Sequence, residues 1–357
     1  MKYALIGCGR IAPNHLTAAK ANALEIKAVC DLDRAKAEAL LSEYGLEETK
    51  VYTDYLTMLE QEELDLVAVA TYSGEHAKIA LACIRKGIHV IIEKPIALSL
   101  EDADKLIEEG KRYQVKVCVN HQNRFNPTIQ TIRKAVEENR LGKLLYGSAV
   151  IRWYRGEDYF NQADWRGTWE QDGGALMNQC IHNIDLLRWM MGDEIEEVVA
   201  YTANQAHPYI EAEDLGLALV KFKNGTFGTI EGCTSIYPNG LEETLSFFGE
   251  KGTVRAGGMS VNHMEVWNVQ GEMDKLQWIQ DTCNENPENV YGFGHNPLYR
   301  DMIHAIEADE EPLVDAYAGK RALELVLAIY EASAKGGAVR FPLEHGATMD
   351  YFKATEE

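Results

Sequence analysis

The stretch YALIGCGRIAPNHLTAAKA, residues 3–21, predicts a short buried strand, a glycine turn and then a helix. Within it, Gly7, Gly9 and Ala12 fit the pattern G-x-G-x-x-G/A. The first glycine of this pattern makes a tight turn, the second lets the backbone approach a pyrophosphate, and the small third residue packs the helix against the strand. The stretch therefore indicates a dinucleotide site, and we expect Arg10 and Ile11 to line it as well.

A second strand, in EIKAVCDLDR (25–34), ends in Asp31. In dinucleotide-binding folds an acidic residue about 20 residues beyond the glycines accepts a hydrogen bond from the adenine-ribose 2′-hydroxyl. A carboxylate here would repel a 2′-phosphate, so the sequence favours NAD(H), although Arg34 keeps NADP(H) open. The alternative is that the glycines only make a turn and Asp31 only ends a strand. The order of strand, turn, helix, strand and acid argues against that alternative.

Strands and helices continue to alternate along the next hundred residues. They are LDLVAVAT (64–71), GEHAKIALACIRKG (74–87), HVIIEKP (89–95), SLEDADKLIEEGKRY (99–113) and KVCVNHQ (116–122). This alternation predicts a doubly wound parallel sheet, in which ligands bind beyond the carboxyl ends of the strands. The residues predicted at those ends are Thr71, Ser73, His76, Glu93, Lys94 and Asn120–Arg124. Of these we expect six to contact the cofactor: Thr71, Ser73, His76, Glu93, Lys94 and Gln122.

Lys94 is the strand-end residue best suited to chemistry. It lies against a dry strand end, and Pro95 fixes the chain after it. Such a lysine is well placed for a lowered pKa and for acid/base work. The alternative is a structural lysine paired with Glu93 or Glu101, since ion-pair networks also perturb lysines. The sequence leaves both readings open.

Charge and cysteine content exclude several classes of function. The formal net charge of −21 would repel nucleic acids and anionic lipid, so an anionic ligand would need a local basic site. Seven cysteines without a C-x-x-C pair, and histidines without H-x-x-x-H spacing, indicate reduced thiols and no metal site. With neither a signal peptide nor a long apolar run, we expect a cytoplasmic protein without a membrane role.

The segment GALMNQCIHNIDLLRWM (174–190) predicts an amphipathic helix. Its apolar stripe consists of Met177, Ile181, Ile184 and Leu187. Beside that stripe, Asn178, His182 and Asp185 share a face because they are four and three residues apart. From periodicity alone this polar row is either a solvated flank or a working surface.

A long irregular loop, RWYRGEDYFNQADWRGTWEQDGG (152–174), precedes that helix. Loops of this length are usually functional or disordered, and the load of Trp and Tyr argues against disorder. Its arginines, with Arg124, are predicted to create the local positive field that the acidic chain lacks: Arg152, Arg155 and Arg166. The alternative is that these arginines pair with the nearby acids Glu157, Asp158 and Asp164.

The rest of the chain alternates like strands and ends in a helix. The predicted strands lie in LLYGSAVIRWYR (144–155), LGLALVKFKNGTFGTIEGCTS (215–235, turning at Asn224-Gly225), ETLSFFGEKGTVRA (243–256) and HMEVWNV (263–269). The segment AYAGKRALELVLAIYEASAKGG (316–337) predicts a helix closed by glycines. Its inward-facing residues are predicted to be Leu323, Val326, Leu327 and Tyr330.

Several segments in order resemble the Gfo/Idh/MocA family of sugar and polyol oxidoreductases: GCGRIA, HVIIEKPIAL, NHQNRFNP and DGGALMNQCIHNIDLL. The resemblance covers almost the whole chain. It implies an NAD-binding Rossmann domain with a doubly wound parallel sheet over residues 1–120. It also implies an α/β domain over residues 121–357, whose open, mostly antiparallel sheet supplies the substrate site and an interface of a homodimer or homotetramer.

The resemblance assigns roles to particular residues. Lys94 matches the lysine and His182 the histidine of the family's reaction centre, while the family's acidic position falls on Asn178. Without a carboxylate there, a proton relay through position 178 is in doubt, although the amide can still bind a sugar hydroxyl. The resemblance puts Trp165 and Arg166 near the cofactor. The implied substrate-binding set is Lys94, Arg124, Tyr154, Arg155, Asn178 and His182.

The function that the resemblance implies is NAD-dependent oxidation of a secondary ring hydroxyl of a sugar. Nicotinamide would take the hydride, His182 the hydroxyl proton, and Lys94 would stabilise the developing alkoxide. The segments WYRGEDYF and DWRGTW look most like the group that oxidises C3 of UDP-N-acetylhexosamine or its uronate. The alternatives are an inositol, glucose or glucoside dehydrogenase, an NAD-retaining glycoside-cleaving enzyme, and a non-catalytic NAD-binding regulator.

Overall fold

The computed structural model describes residues 1–287 and 289–352. The chain forms two compact units. The first comprises residues 1–122 and 293–320, and the second comprises residues 123–287, 289–292 and 321–352. The division expected from the sequence was continuous, at residue 120, whereas the first unit also takes a segment from near the end of the chain.

The first unit is built on a six-stranded parallel sheet in the order β3-β2-β1-β4-β5-β6. The strands are β1 (Lys2–Ile6), β2 (Glu25–Cys30), β3 (Lys50–Tyr52), β4 (Leu66–Val69), β5 (His89–Ile92) and β6 (Val117–Val119). The central strands β4 and β5 are almost entirely buried, as expected for a parallel sheet covered on both faces. The predicted doubly wound parallel sheet is confirmed.

Helices cover this sheet. They are α1 (Ala12–Ala21), α2 (Arg34–Glu43), α3 (Tyr55–Gln61), α4 (His76–Ile84), α5 (Leu100–Tyr113) and, from the returning segment, α10 (His295–Ala308). Helix α10 packs against α1, the helix that follows the glycine turn. The returning segment therefore completes the packing around the predicted dinucleotide site.

The second unit is built on an eight-stranded sheet in the order β13-β12-β11-β7-β10-β9-β8-β14. The strands are β7 (Leu144–Arg152), β8 (Ile195–Ala203), β9 (Leu215–Phe222), β10 (Phe227–Cys233), β11 (Glu242–Gly249), β12 (Gly252–Gly257), β13 (His263–Val269) and β14 (Val339–Arg340). All neighbours pair antiparallel except β7 and β10. The open, mostly antiparallel sheet expected from the resemblance is confirmed, as is the turn at Asn224-Gly225, between β9 and β10.

The helices of the second unit are α6 (Pro127–Glu137), α7 (Glu157–Phe160), α8 (Ile181–Met191), α9 (Leu276–Cys283) and most of α11 (Ala316–Lys335). Helix α8 packs on β7 and β10, where Gly147 and Gly228 make room for the Leu187 side chain. The four residues predicted to face inward on α11 are all buried. Within the described residues no helix is long and apolar enough to cross a membrane.

The segment predicted as one regular helix from residue 174 is not regular. A π-helical turn, Leu176–Cys180, precedes α8. π turns are rare and occur frequently at functional sites. Asn178 lies in this turn, and His182 is the second residue of α8.

Candidate active site

The glycine turn after β1 leaves room where a dinucleotide would need it. Gly7 has φ +98°, and a Cβ there would lie 2.4 Å from the Ala70 carbonyl oxygen, so only glycine fits. A Cβ on Gly9, in contrast, would meet nothing within 4 Å. Helix α1 follows without a side-chain cap at Ile11, so the amides at its start are not covered by a side chain. This open, uncapped turn fits a pyrophosphate.

Asp31 lies at the same turn. One carboxylate oxygen accepts from the backbone amide of Cys8 at 2.7 Å, and the other accepts from the amide of Asp33 at 2.9 Å. Arg34 instead pairs with Glu38, with Nε at 2.8 Å from Oε1. The acid that suits a 2′-hydroxyl is therefore fixed against the glycine turn, while the arginine that would suit a 2′-phosphate has another partner. This part of the first unit fits NAD.

His76 joins two of the predicted strand-end segments. Its Nδ1 lies 2.7 Å from the carbonyl oxygen of Pro95, and its Nε2 lies 3.2 Å from that of Thr71. Burial lowers the pKa of His76, which keeps the ring neutral. The buried Ser73 begins a 3-10 turn beside it. A neutral ring carries one N–H, so His76 donates to one of these two carbonyls while lying between the segments that follow β4 and β5.

The two carboxylates considered as partners of Lys94 have other partners in the structure. The buried Glu93 side chain accepts hydrogen bonds from Asn120 and His15, the latter at 3.1 Å, and it also accepts from the Lys94 backbone amide at 3.2 Å. Glu101 pairs with Lys105 at 2.8 Å. Lys94 itself is half-buried and precedes Pro95 through a cis peptide bond.

The groups that hold Glu93 form a buried network that the sequence did not reveal. His15 Nδ1 lies 2.7 Å from the Tyr299 hydroxyl, which lies 2.8 Å from that of Tyr3, and His295 Nε2 lies 3.7 Å from Glu93. Burial alone would raise the pKa of Glu93, but the hydrogen bond from His15 and the proximity of His295 hold it well below its ordinary value. His295 and Tyr299 belong to α10, which is distant from Glu93 in the sequence, so their contact with this network could not be predicted from local sequence.

Arg124 has a buried acidic partner in the second unit. Its Nε and Nη2 donate to the two oxygens of Asp185 at 2.7 and 2.6 Å, and its guanidinium lies 4.7 Å from the ring centre of Trp189. Arg124 and Asp185 are both buried. Asp185, which the sequence grouped with Asn178 and His182, therefore binds an arginine. Gln122 is also buried, at the start of the 3-10 turn that follows β6 in the first unit.

Arg152 does not contribute to a positive field, and that expectation is wrong. It lies in β7 and pairs with Glu231 at 2.6 and 2.7 Å and with Glu242 at 2.5 Å. Glu242 lies directly opposite Arg152 on β11, and Glu231 lies on the other neighbouring strand, β10. Cross-strand carboxylates thus neutralise the charge, through pairing that the local sequence does not reveal.

Arg166 is held between two aromatic rings. Its guanidinium lies 4.3 Å from the ring centre of Tyr159 and 4.5 Å from that of Trp165, and Nη1 donates to the Tyr159 hydroxyl at 2.6 Å. Within residues 1–287 and 289–352 it makes no ion pair with a carboxylate. The alternative that the loop arginines form ion pairs with nearby acidic residues therefore does not hold for Arg166.

Arg155 and Gln179 extend this cluster. Arg155 lies 4.6 Å from the Trp153 ring centre, and its Nε donates to Gln179 Oε1 at 3.3 Å. Gln179 Nε2 donates to the Tyr159 hydroxyl and to Asn178 Oδ1, both at 2.8 Å. Tyr159 and Gln179 are candidate site residues that no sequence motif singled out. The Tyr154 carbonyl accepts from Arg155 Nη1 at 3.0 Å, and the Tyr154 ring lies 5.9 Å from that of Tyr237.

The start of the helical segment that carries Asn178 and His182 is fixed by Glu213. Glu213 Oε1 accepts from the Leu176 amide at 2.8 Å and from the Tyr330 hydroxyl at 3.0 Å, and the Glu213 carbonyl accepts from the Ala175 amide at 2.9 Å. Burial raises the pKa of Glu213 to about 8. His182 is half-buried, as is Asn178, whose amide donates to Asp172.

Two family models together match this chain over nearly its whole length. A model of the oxidoreductase family's NAD-binding Rossmann fold (GFO_IDH_MocA) matches residues 1–121, and one of its C-terminal alpha/beta domain (GFO_IDH_MocA_C) matches residues 133–341.

Two solved structures and one curated relative illustrate the similarity. The WlbA dehydrogenase from Bordetella pertussis, in complex with NADH and UDP-GlcNAcA, is 35% identical with a TM-score of 0.88, covering 96% of this chain and 98% of that chain. The WlbA dehydrogenase from Chromobacterium violaceum, in complex with the same two ligands, is 35% identical with a TM-score of 0.87, covering 96% of each chain. Myo-inositol 2-dehydrogenase of Thermotoga maritima is 27% identical over 336 residues, 91% of this chain and 94% of that protein.

Proposed function

The chain belongs to the Gfo/Idh/MocA family of NAD-binding oxidoreductases, and on that basis we propose that it oxidises the C3 hydroxyl of an anionic nucleotide sugar. The two WlbA dehydrogenases support this choice of substrate, since both were crystallised with NADH and UDP-GlcNAcA. Both are 35% identical to this chain over 96% of its length.

The observation that carries the proposal is the environment of Arg166. An arginine between two aromatic rings is pre-organised, and without a carboxylate partner in the described part of the chain it keeps its charge for a ligand. The Tyr159 hydroxyl accepts hydrogen bonds from Arg166 and Gln179, so its own hydrogen is available to a ligand oxygen. In a chain of net charge −21, such a local pair of donors favours a diphosphate or a carboxylate.

The proposed chemistry assigns one role to each of two side chains. NAD⁺, when bound, supplies the hydride acceptor. An imidazole nitrogen of His182 takes the proton of the sugar hydroxyl, because neutral imidazole is a suitable base near pH 7. The Lys94 ammonium stabilises the negative charge that develops on the same oxygen. The open space at Gly9 and the position of Asp31 at the same turn support the cofactor part of this arrangement.

A second candidate is an inositol dehydrogenase. The observation that favours it is the similarity to myo-inositol 2-dehydrogenase of Thermotoga maritima over 91% of this chain. Inositols are neutral, so this candidate predicts that Arg166 contributes little to substrate affinity. The two candidates therefore differ in the effect of one charge.

We also propose that the protein is a homodimer or homotetramer. One face of the eight-stranded sheet exposes large apolar side chains, which we call the open sheet face: Tyr146, Val199, Tyr201, Leu217, Leu219 and Phe227. Contiguous exposed apolar surface of this kind usually marks an interface. A second copy of the chain is the occupant that the family resemblance suggests.

A substrate panel with the Arg166→Gln variant tests the proposed function. NADH formation is followed with UDP-GlcNAcA, UDP-GlcNAc, glucose and myo-inositol. We expect kcat/KM for UDP-GlcNAcA to exceed that for myo-inositol by at least about 100-fold, and Arg166→Gln to reduce it by about 30- to 100-fold, which corresponds to about 2–3 kcal/mol. Reduction of the product with borodeuteride should place deuterium at C3. Turnover of inositols alone would overturn the proposal.

A further inference from the structure

Asp172 is a buried carboxylate held rigidly beside the glycines that precede the helical segment. It is 2% exposed, and its Oδ2 accepts from the Gly167 amide at 2.8 Å. Its own amide donates to the Thr168 carbonyl at 3.1 Å. The loop that ends in Asp172 therefore fixes both the backbone and the side chain of this residue.

The other oxygen of Asp172 binds the amide side chain of Asn178. Asn178 Nδ2 donates to Asp172 Oδ1, and Asn178 Oδ1 accepts from Gln179 Nε2 at 2.8 Å. The reverse orientation of the amide would turn its oxygen towards the carboxylate and its NH₂ group towards another NH₂ group. The two neighbours therefore define which end of Asn178 faces which partner.

His182 follows Asn178 by four residues along the same helical segment, so the two side chains leave it near one face. A buried carboxylate near this face interacts strongly with a charge that forms there, because water screens it little. Position 178, where the family resemblance implies an acid, thus holds an amide that is bonded to an acid from the preceding loop.

We propose that Asp172 is the carboxylate of the proton-transfer site, acting through Asn178 to favour the imidazolium that His182 becomes when it takes the substrate proton. The proposal rests on the proposed function in one respect, the role of His182 as the base. The proton moves from the sugar hydroxyl to His182, and Asp172 stays ionised throughout. Asp172 is a positioning residue, since it acts on the reaction through Asn178 and His182.

If Asp172 has this role, an acid introduced at position 178 would not simply add a second carboxylate charge. In Asn178→Asp, two carboxylates would lie within hydrogen-bond distance, and like charges so close cannot both stay ionised. The variant would share one proton between positions 172 and 178 rather than gain an acid. A carboxylate at position 178 is productive only when position 172 is made neutral.

The test uses Asp172→Asn, the swap Asp172→Asn/Asn178→Asp, and Asp158→Asn as a control for an exposed acid of the same loop. The first readout is the pH profile of kcat/KM. In Asp172→Asn we expect kcat to fall at least about 10-fold, with the acidic limb moved to lower pH by about one unit because the imidazolium loses a neighbouring negative charge. The swap Asp172→Asn/Asn178→Asp places one carboxylate on the other side of the same hydrogen bond, so it should return the acidic limb to its wild-type pH. The control Asp158→Asn should have the wild-type pH profile.

The second readout is the NMR titration of ¹³C-labelled histidine, assigned to His182 with His182→Gln, in the protein without substrate. It separates this proposal from the substrate assignment, because it needs no turnover. A titration midpoint that drops in Asp172→Asn and returns in the swap supports the proposal even if the sugar panel fails. If kcat falls while the His182 midpoint stays unchanged, Asp172 is only a structural brace and the proposal is overturned. If Asp172→Asn does not fold, Asp172→Ser replaces it as the uncharged variant, and an unchanged His182 midpoint in Asp172→Ser overturns the proposal.

Discussion

Gly174 lies directly against the carboxyl group of Glu213: a Cβ at position 174 would come 1.6 Å from Glu213 Oε2. The same carboxyl accepts the Leu176 amide at the start of the helical segment that carries Asn178 and His182. A backbone position without a side chain and a buried acid thus form one structural unit. The close approach explains why glycine occupies this place in the DGG sequence.

Gly174→Ala should displace this unit. Since the added methyl group overlaps the Glu213 carboxyl and would lie 2.5 Å from the Glu213 backbone carbonyl oxygen, we expect a loss of about 2–4 kcal/mol of folding stability, in the range of overpacked cores. Thermal unfolding measures it, with Gly337→Ala as the control because a Cβ there meets nothing within 4 Å. Equal melting temperatures for the two variants would contradict the close packing described.

The pH dependence of stability should report Glu213 and Glu243. Burial raises the pKa of each to about 8, whereas an unfolded glutamate titrates near about 4.3. Between these values the folded protein binds more protons than the unfolded chain, so stability falls as pH rises, by up to about 1.4 kcal/mol per pH unit for each carboxyl. We expect Glu213→Gln to flatten the fall in melting temperature between pH 5.5 and 8.5. A variant with the wild-type slope would exclude Glu213 as a source.

Sequence periodicity was sufficient for the elements and insufficient for their partners. The parallel sheet followed from the alternation of buried strands and helices, and the turn at Asn224-Gly225 from its hairpin chemistry. The π turn over Leu176–Cys180 has no signature in helical spacing, because it differs from an α-helix only by one extra residue in a turn. His295 could not be connected to Glu93 from the sequence, since 202 residues separate them.

The candidate site shows the same division between local and distant information. Trp165 and Arg166 are adjacent in the loop, and its composition was enough to single them out. Tyr159, seven residues before Arg166, was missed although its ring lies against the same guanidinium. Arg152 was misjudged because its acidic partners come from β10 and β11, whose register no local pattern encodes. Asp172 was overlooked although it lies six residues before Asn178, because a loop conformation creates their contact.

The two glycines of the dinucleotide turn should respond differently to alanine. Gly7→Ala forces a Cβ to 2.4 Å from the Ala70 carbonyl oxygen at a positive φ, so we expect poor folding or a melting temperature lower by several degrees. Gly9→Ala has open space around the Cβ, so the fold should survive, while affinity for NAD falls at least about 10-fold because the methyl group occupies room for the pyrophosphate. Isothermal titration with NAD and thermal unfolding measure both. Unchanged NAD affinity in Gly9→Ala would place the pyrophosphate elsewhere.

The assigned catalytic pair should separate chemistry from cofactor binding. We expect Lys94→Met and His182→Gln each to lower kcat about 100-fold or more, since each removes a group that acts on the reacting oxygen. NAD affinity should stay within a few-fold for His182→Gln, measured by quenching of intrinsic fluorescence. Lys105→Met, a change to an exposed lysine on α5, serves as the control. Near-normal turnover in His182→Gln would require another base.

A charge on the open sheet face should break the oligomer. Leu219 on β9 is 61% exposed and is flanked on neighbouring strands by Val199 and Thr229, so a lysine there would carry its charge into the middle of the apolar surface. Burying a leucine contributes about 1.5–3 kcal/mol, and an unpaired charge in an interface costs more, so we expect Leu219→Lys to weaken self-association at least about 100-fold. Sedimentation velocity over a concentration series measures this change. Leu56→Lys, at a 50% exposed leucine on α3, is the matched control. If Leu219→Lys sediments like the control, the copies associate through another surface or do not associate.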